Sequence, residues 1–243
     1  MIIQPDTWSA LRAFTPARIA LGRTGVAPPL REVLDFRMAH AHARDAVYSV
    51  LDMDAIETAL APLTCHRLRS KAVDRHTYLQ RPDLGRQLED ETLLTPANAD
   101  LAVIVADGLS ATAVNRHAAP LLHLLTPSLQ EAGITVAPIC LLEQGRVAAG
   151  DPIGYRLRTK MTVLLIGERP GLSAADSMGA YLTFGPRPGL TDESRNCISN
   201  IRPEGLDYAA AADRLLHLIG ASMRLGLSGV GLKDQSGNEQ LIA

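Results

Sequence analysis

The chain has 243 residues, of which 24 are basic and 26 acidic, so its formal net charge is -2. A charge this close to neutral provides no polybasic field that would attract nucleic acid or an anionic membrane. The longest apolar runs, residues 101–106 and 163–166, are far shorter than the roughly 20 residues that a membrane span requires. We therefore expect neither a nucleic acid nor a membrane as partner.

The N-terminus and the cysteines favour a cytoplasmic protein. The first residues, MIIQPDTWSALRAF, lack the basic start and the long apolar core of a secretory signal. Cys65, Cys140 and Cys197 are odd in number and widely spaced, and they form no C-x-x-C pair. This pattern argues against a disulfide framework and against a zinc knuckle, so we expect reduced thiols and no metal site.

The first third of the chain is predicted to be helical and then irregular. Apolar residues recur at helical spacing within residues 29–51, and a shorter helix is predicted for 54–61, where Pro62 limits it. Residues 65–86 are rich in Arg, Lys and His and predict a polar surface connection. We assign residues 1–95 to an N-terminal helical and irregular segment that packs on a main body of residues 96–243.

From residue 101 onward, apolar strands alternate with helices. The run LAVIVADG is continuous and β-rich, which is typical of a strand buried on both faces of a parallel sheet. Ser110 is placed to cap the first helix, which Pro120 is predicted to interrupt, and Asp151 and Pro152 are placed as N-cap and first-turn residues of the second. The predicted order is strand 101–106, helix 110–132, strand 134–142, helix 151–160 and strand 161–166.

The remaining residues complete the predicted fold. A further strand is expected at 180–184, a loop containing RNCISNI at 195–201, and a last helix at 208–225. The sequence GLSGVG at 226–231 follows this helix and predicts a helix stop and a flexible tail. The fold class is therefore α/β, with a Rossmann-like, open and mostly parallel sheet that carries helices on both faces and follows an N-terminal helical segment.

Two carboxylates follow predicted strands, where open α/β sheets bind ligands. Asp107 comes directly after the first strand and can also form an Asx turn or cap the next helix. Glu168 lies in the stiff turn GERPG and can alternatively form an ion pair with Arg169 or with another arginine. One hypothesis is therefore a stand-alone α/β module that binds a nucleotide or a small acid.

The chain lacks the common signatures of a self-contained active site. It has no P-loop motif and no G-x-S-x-G, and GLSGVG follows a helix where a dinucleotide fingerprint would follow a strand. The segment DRHTYL at 74–79 approaches D-x-H-x-x-G, a cobalt-ligating pattern, but Leu79 occupies the glycine position. Cys197 would need a nearby base to act as a nucleophile. We therefore assign no catalytic residue.

Five segments together resemble the small (light) subunit of ethanolamine ammonia-lyase. In chain order they are YLQRPDLGRQL at 78–88, VADGLS at 105–110, GRVAAGDPIG at 145–154, LLIGERPGL at 164–172 and CISNI at 197–201. GERPGL and CISNI are the most specific of these. The similarity extends over about residues 10–230.

This resemblance implies an adenosylcobalamin-dependent lyase that converts ethanolamine to acetaldehyde and ammonia. It further implies a large catalytic subunit as partner, a hetero-oligomer of several large/small pairs, activity only in that complex, and a location in the cytoplasm or in a bacterial microcompartment. The large subunit of the family is a TIM barrel that holds the substrate. The small subunit covers the cofactor from the other side, so residues 96–243 would be the cobalamin-covering domain.

Three residues match the cofactor-binding positions of the family, namely Val147, Glu168 and Cys197. Val147 would form part of an apolar wall, Glu168 would accept hydrogen bonds from corrin amides, and Cys197 would pack against the cofactor without attacking it. Because DRHTYL departs from D-x-H-x-x-G, the resemblance implies that dimethylbenzimidazole stays bound to cobalt.

Overall fold

The computed structural model describes residues 3–15 and 17–233. The strands are β1 (Cys65–Arg69), β2 (Leu101–Ala106), β3 (Ile139–Glu143), β4 (Met161–Gly167), β5 (Met178–Phe184) and β6 (Arg195–Ile201). The helices are α1 (Leu30–Tyr48), α2 (Met53–Leu60), α3 (Arg75–Gln80), α4 (Ala111–Glu131), α5 (Gly150–Leu157) and α6 (Tyr208–Leu225). The described part of the chain is therefore an α/β protein, as predicted.

One six-stranded sheet organises the molecule, in the order β1-β3-β2-β4-β5-β6. Strands β1, β3, β2 and β4 are parallel to one another, whereas β5 runs antiparallel to both β4 and β6. The sheet is therefore mixed. Since parallel strands β2 and β4 are neighbours, Asp107 and Glu168 follow strand ends at the same edge of the sheet.

Both faces of the sheet are covered by helices. All six residues of β2 are buried, as its continuous apolar run predicts. Leu101, Val103 and Val105 point into one core cluster with α2, α4 and α6. Ala102, Ile104 and Ala106 point into a second cluster, on the opposite face, with α5. The period of two along an extended strand separates the two sets.

The two edge strands were not predicted. Residues 65–86, predicted as a polar surface connection, contain both β1 and α3. Within β1 only Leu68 is buried, because an edge strand presents much of its surface to solvent. Its polar composition therefore resembles that of a connection, and the prediction was wrong for these residues.

RNCISNI forms edge strand β6, so its assignment to a loop was also wrong. The buried residues of β6 are Arg195, Ile198 and Ile201, which are three positions apart where a regular strand has two. Asn200 has a φ of 59°, and the pairing of β6 with β5 shifts register beside it. This irregularity removes the alternating pattern by which a strand is recognised in a sequence.

Three predicted elements have different bounds in the structure. The strand predicted at 134–142 is observed at Ile139–Glu143, and it begins after Pro138 because proline has no N–H for strand pairing. Helix α4 continues through Pro120, since ten of its residues are buried and this packing outweighs the local penalty of proline. Helix α5 begins at Gly150, so Asp151 lies inside its first turn and is not the N-cap.

The glycine-rich segment after α6 is also more ordered than predicted. Gly226 ends the helix in the left-handed conformation, with a φ of 68°, which confirms the predicted helix stop. A short 3-10 helix, Gly229–Gly231, then packs against the outer side of β6, where the Gly229 N–H donates to Asn196 Oδ1 at 2.7 Å. The predicted flexible tail is therefore wrong for residues 226–233, and residues 234–243 lie outside the described part.

Residues from both predicted segments contribute to the same sheet. Strand β1 belongs to residues 1–95 and pairs with β3 over five residues. The boundary at residue 95 stays a prediction. Within residues 3–15 and 17–233, no helix has the length and the apolar character needed to cross a membrane.

Candidate functional site

A groove of about 360 Å³ lies at the carboxyl ends of β2 and β4. It combines apolar side chains with two arginines, two tyrosines and one carboxylate. Its lining residues are Tyr78, Gly108, Leu109, Arg146, Val147, Ile166, Gly167, Glu168, Arg169 and Tyr181. A larger cavity of about 560 Å³ lies at the opposite edge of the sheet, but no titratable side chain lines it. The groove is therefore the better candidate site.

Two glycines bring the chain segments at the base of the groove into close contact. A Cβ on Gly108, whose φ is +56°, would lie 2.3 Å from the Gly167 carbonyl oxygen. A Cβ on Gly167 would lie 1.9 Å from the Ser110 carbonyl oxygen. Any side chain at either position would separate the ends of β2 and β4, so backbone forms this part of the groove.

Glu168 is held in place by groups from β5, β6 and the preceding loop. Its Oε2 atom accepts a hydrogen bond from the Ser177 hydroxyl and a longer one, 3.3 Å, from the Asn200 N–H. A Cβ on Gly179 would lie 2.9 Å from Glu168 Oε1, so the glycine leaves room for the carboxylate. Among the described residues Glu168 forms no ion pair. The alternative of a salt bridge with an arginine was therefore wrong.

Cys197 lies beside the groove and does not line it. The residue is exposed on β6 and pairs with Tyr181 of β5, which does line the groove. The pKa of the Cys197 thiol lies above its usual value, chiefly because surrounding groups displace water from the sulfur, and the charge of Glu168 adds to this shift. Its hydrogen bond with Tyr181 acts in the opposite direction. A protonated thiol suits a packing group better than a nucleophile.

Val147 is half-buried on the short 3-10 helix Val147–Ala149, where it packs against the core cluster on the α5 side of the sheet. The structure therefore places two of the three predicted residues, Val147 and Glu168, in one groove. It places the third beside the groove wall. Their role in cofactor binding stays a prediction.

A stack of three side chains next to Val147 was not predicted. The guanidinium carbon of Arg146 lies 4.1 Å from the ring centroid of Tyr78, and that of Arg75 lies 4.7 Å from it. Tyr78 is fully buried and donates a hydrogen bond to the Gly145 carbonyl oxygen at 3.1 Å. Arg146 and Tyr78 both belong to segments that carry the family resemblance. Their position in these segments could have identified Arg146 and Tyr78 from the sequence.

Asp107 has a structural role in the loop after β3. Its two carboxylate oxygens accept hydrogen bonds from the N–H groups of Gln144 and Gly145, at 2.9 and 3.0 Å. Ser110 caps α4 instead. Burial raises the pKa of Asp107 to about 6, although these hydrogen bonds and Arg75 oppose the shift. The hypothesis of a stand-alone binding module required Asp107 and Glu168 to share a ligand site. Asp107 is only 2% exposed, so it is not accessible to such a ligand.

Neither a metal centre nor a cobalt-ligating histidine is formed by the candidate residues. Within the described ranges, no group of three His, Cys, Asp or Glu side chains could hold a metal ion. In DRHTYL, Asp74 accepts a hydrogen bond from the Thr77 N–H at 2.7 Å and caps α3, and His76 is exposed. These residues therefore form an ordinary helix start.

The sequence matches one protein family over nearly all the described residues. A family model described as the ethanolamine ammonia-lyase light chain matches residues 5–233. This chain belongs to that family.

Relatives in the ethanolamine ammonia-lyase light chain family are similar over almost their whole length. A protein of Azotobacter vinelandii is 56% identical over 95% of this chain and 89% of its own length. One of Ralstonia nicotianae is 53% identical over 96% of this chain and 90% of its own length. One of Pseudomonas syringae pv. tomato is 53% identical over 95% of this chain and 84% of its own length. Each of the three bears the name ethanolamine ammonia-lyase small subunit.

A buried ion pair joins one of the segments that carry the family resemblance, 145–154, to the strand that contains another, CISNI. Arg195 at the start of β6 donates two hydrogen bonds to the carboxylate of Asp151, at 2.7 and 2.9 Å. The two side chains are 2% and 3% exposed. Arg195 also donates to Thr183 Oγ1 at 3.2 Å. The pair thereby connects the helix that follows Val147 to the strand that carries Cys197.

Proposed function

We propose that this chain is the small subunit of an adenosylcobalamin-dependent ethanolamine ammonia-lyase and forms part of the cobalamin site at the interface with the large catalytic subunit. The observation that carries this proposal is the open groove, which unites Val147 and Glu168 and is flanked by Cys197. The α/β, Rossmann-like sheet would position this groove against the partner.

The size of the groove supports a site shared by two chains. Sites that enclose a drug-sized ligand measure about 300–1,000 Å³. The groove, at about 360 Å³, is at the lower end of that range, and a corrinoid with its nucleotide tail is larger than such a ligand. This chain would therefore form one wall of the site, and the large subunit would form the other.

The chemistry of the groove fits a corrinoid. A corrin is a broad apolar ring with amide groups at its rim, so its site needs apolar walls and a few oriented polar groups. Val147, Leu109 and Ile166 provide apolar surface. Glu168 already accepts two hydrogen bonds from protein, and its second oxygen, Oε1, can accept one from a rim amide. The bound cofactor would supply a cobalt–carbon bond whose homolysis begins the radical conversion of ethanolamine.

The roles that we propose for this chain's residues are binding and exclusion. Glu168 would orient the rim of the cofactor, and Ser177 would keep the carboxylate from rotating away. Cys197 and Tyr181 would pack at the side of the groove and exclude water. The substrate and the reacting atoms would be held by the large subunit, so this chain alone would have no deaminase activity.

Reconstitution tests the proposal directly. The chain is mixed with the large subunit and adenosylcobalamin, and ethanolamine deamination is measured together with the corrin absorption of the repurified complex. We expect activity and corrin bands with both chains, and neither with this chain alone. Deamination by the isolated chain, or an inactive complex without corrin bands, would refute the proposal.

The role of Glu168 is tested by Glu168→Gln, with Glu131→Gln at an exposed site near the other edge of the sheet as control. A charge-assisted hydrogen bond is worth about 1.5–3 kcal/mol, so Kd for adenosylcobalamin in the complex should rise about 10-fold to 150-fold. The measurement is a spectral titration with cofactor, which does not depend on turnover. An unchanged Kd would remove Glu168 from the site.

A further inference from the structure

A cluster of polar side chains lies between α4, the start of α6 and the loop that connects β4 to β5. His117 of α4 is 4% exposed, and one of its ring nitrogens, Nδ1, lies 2.8 Å from the Tyr208 hydroxyl of α6. Its other ring nitrogen, Nε2, lies 3.5 Å from a carboxylate oxygen of Asp176 in the loop. None of these three residues lines the groove. The proposed cofactor site therefore does not by itself explain why a histidine is buried here.

The cluster fixes the carboxylate of Asp176. Arg116 donates a hydrogen bond to Asp176 Oδ2 at 2.9 Å, and His117 Nε2 lies near the same oxygen. The carboxylate favours the tautomer with the proton on Nε2, which leaves Nδ1 to accept a hydrogen bond from the Tyr208 hydroxyl. Burial acts to raise the pKa of Asp176, but Arg116 and His117 bring it below its usual value, so the carboxylate stays charged. Asp176 is therefore a fixed point in a loop whose residues 171–173 are exposed.

Asp176 directly precedes Ser177, the residue that holds the carboxylate of Glu168. The Ser177 hydroxyl donates to Glu168 Oε2, and the Glu168 N–H donates to the Ser177 carbonyl oxygen at 2.9 Å. On the other side of Asp176, the hydroxyl of Ser110, the N-cap of α4, donates to the Ala175 carbonyl oxygen at 2.9 Å. The loop is thus attached to α4 at two successive residues and to Glu168 at the third. Since one planar peptide unit separates Asp176 from Ser177, a shift at Asp176 also moves the Ser177 hydroxyl.

From this arrangement we infer that Arg116 and His117 of α4 are positioning residues for Glu168. They act through Asp176, which sets the position of the Ser177 hydroxyl. The inference rests on the proposed function, because the proposed contact of Glu168 with a corrin amide requires a fixed carboxylate. Hydrogen bonds depend steeply on distance and angle, so groups that orient a binding residue contribute to affinity without touching the ligand. Helix α4 packs against the body through ten buried residues, which makes it a rigid support.

An ion pair at the other edge of the sheet provides a matched control. Arg116 and Asp176 are joined at 2.9 Å, with side chains that are 64% and 20% exposed. Lys160 and Asp100 are joined at 2.8 Å, with side chains that are 62% and 18% exposed. Asp100 directly precedes β2, so it lies at the opposite end of that strand from the groove. Asp176→Asn and Asp100→Asn therefore remove the same charge from similar surroundings.

The decisive experiment is a double-mutant cycle in the complex with the large subunit. Kd for adenosylcobalamin is measured by spectral titration for wild type, Asp176→Asn, Glu168→Ala and the double variant. We expect Asp176→Asn to raise Kd about threefold to tenfold when Glu168 is present, and less than about twofold in the Glu168→Ala background. Asp100→Asn should change Kd less than about twofold in either background. A merely structural role for Asp176 would weaken binding by the same factor with and without Glu168.

A second variant perturbs the network from an exposed position, so it leaves the core unchanged. Arg116→Gln removes the hydrogen bond to Asp176, and Lys160→Gln is its control. We expect Arg116→Gln to raise Kd about twofold to threefold when Glu168 is present and to have no effect in the Glu168→Ala background. Lys160→Gln should leave Kd unchanged in both. Circular dichroism and thermal unfolding establish that each variant is folded, and gel filtration establishes that it forms the complex.

The outcomes separate this inference from the proposed function. A wild-type complex that binds no corrinoid would defeat the proposed function and the inference together. An unchanged Kd in Glu168→Ala would remove Glu168 from the site, and the inference with it. If Glu168→Ala raises Kd but Asp176→Asn and Arg116→Gln leave it unchanged, or raise it equally in both backgrounds, the inference alone is overturned. Should Asp176→Asn not fold, the cycle with Arg116→Gln decides between these results.

Discussion

Removal of one partner of the buried ion pair between Asp151 and Arg195 should strongly destabilise this chain. The change Asp151→Ala leaves the Arg195 guanidinium in a site where its side chain is 2% exposed. Thr183 and the Leu190 carbonyl oxygen remain as uncharged hydrogen-bond acceptors. The Asp192 carboxylate remains 3.7 Å from Arg195 Nε, but it is 95% exposed, so solvent screens its charge. Removal of one partner of a buried pair typically costs about 3–5 kcal/mol, because a buried charge is left uncompensated.

A surface ion pair of similar length provides the matched control. Arg156 and Glu91 are joined at 2.7 Å, as are Arg195 and Asp151, but their side chains are 50% and 39% exposed. Solvent screens such a pair, and its loss costs about 0–1 kcal/mol. The two pairs share their closest distance, so a comparison of Asp151→Ala with Glu91→Ala measures the effect of burial together with that of the second hydrogen bond that Arg195 donates.

The assay is urea unfolding followed by far-ultraviolet circular dichroism at neutral pH. We expect the free energy of unfolding to fall by about 3–5 kcal/mol in Asp151→Ala and by at most about 1 kcal/mol in Glu91→Ala. The double variant Asp151→Leu with Arg195→Met should recover much of the loss, because it leaves no buried charge. Equal losses in the two alanine variants would show that the pair does not hold β6 to α5.

Three further changes test the groove and its surroundings. Gly179→Ala should lower cofactor affinity in the complex with little effect on stability, because the new Cβ would lie 2.9 Å from Glu168 Oε1 and would displace that side chain and no backbone. Wild type should lose up to about 3 kcal/mol of stability relative to Asp107→Asn as the pH rises from 4 to 7. The reason is that the raised pKa of about 6 makes ionisation of Asp107 unfavourable in the folded chain, and asparagine does not ionise. Gly229→Ala should cost more stability than Gly133→Ala: both have positive φ, but only at Gly229 would the Cβ collide with backbone, 2.0 Å from the Glu193 carbonyl oxygen.

Each of these changes has a defined contrary result. For Gly179→Ala, spectral titration is compared with Gly171→Ala, whose Cβ would have its nearest neighbour at 3.7 Å, and equal affinities would contradict the steric argument. For Asp107→Asn, urea unfolding is repeated at pH 4 and 7. The raised pKa of Asp107 in the folded wild type means that its protonated form contributes stability at low pH, and this contribution is lost as the pH rises through about 6. If the difference in unfolding free energy between Asp107→Asn and wild type did not change with pH, the raised pKa would be refuted. For Gly229→Ala, a loss no greater than that of the glycine control would show that residues 226–233 do not support β6.

The central strands and the long helices could be predicted because local composition determined them. The run at 101–106 is apolar throughout, and a strand buried on both faces needs no alternation. The edge strands could not be predicted in the same way. In β1 only Leu68 is buried, and in β6 the residue that anchors the strand is a buried arginine. Its partner Asp151 is 44 positions away, and no local pattern connects the two.

The candidate site was predictable only in part. Glu168 follows a recognisable strand, whereas Val147 and Cys197 were identified through resemblance to the family and through nothing in their local pattern. Tyr181 lines the groove because β5 pairs with β4 in one register, which places it beside Cys197 of β6. That pairing depends on antiparallel strands that return across the sheet, which a linear sequence does not display.

By itself, the sequence determined the α/β class, the buried central strands and the family, since these follow from composition and from segments that are continuous in the chain. Tertiary structure alone decided that Asp107 accepts hydrogen bonds from the loop after β3, that Arg195 pairs with Asp151, and that Val147 and Glu168 share one groove. The physical reason is that each of these contacts joins residues far apart in the chain. Their free energies depend on burial and on charge partners that exist only once the sheet has formed.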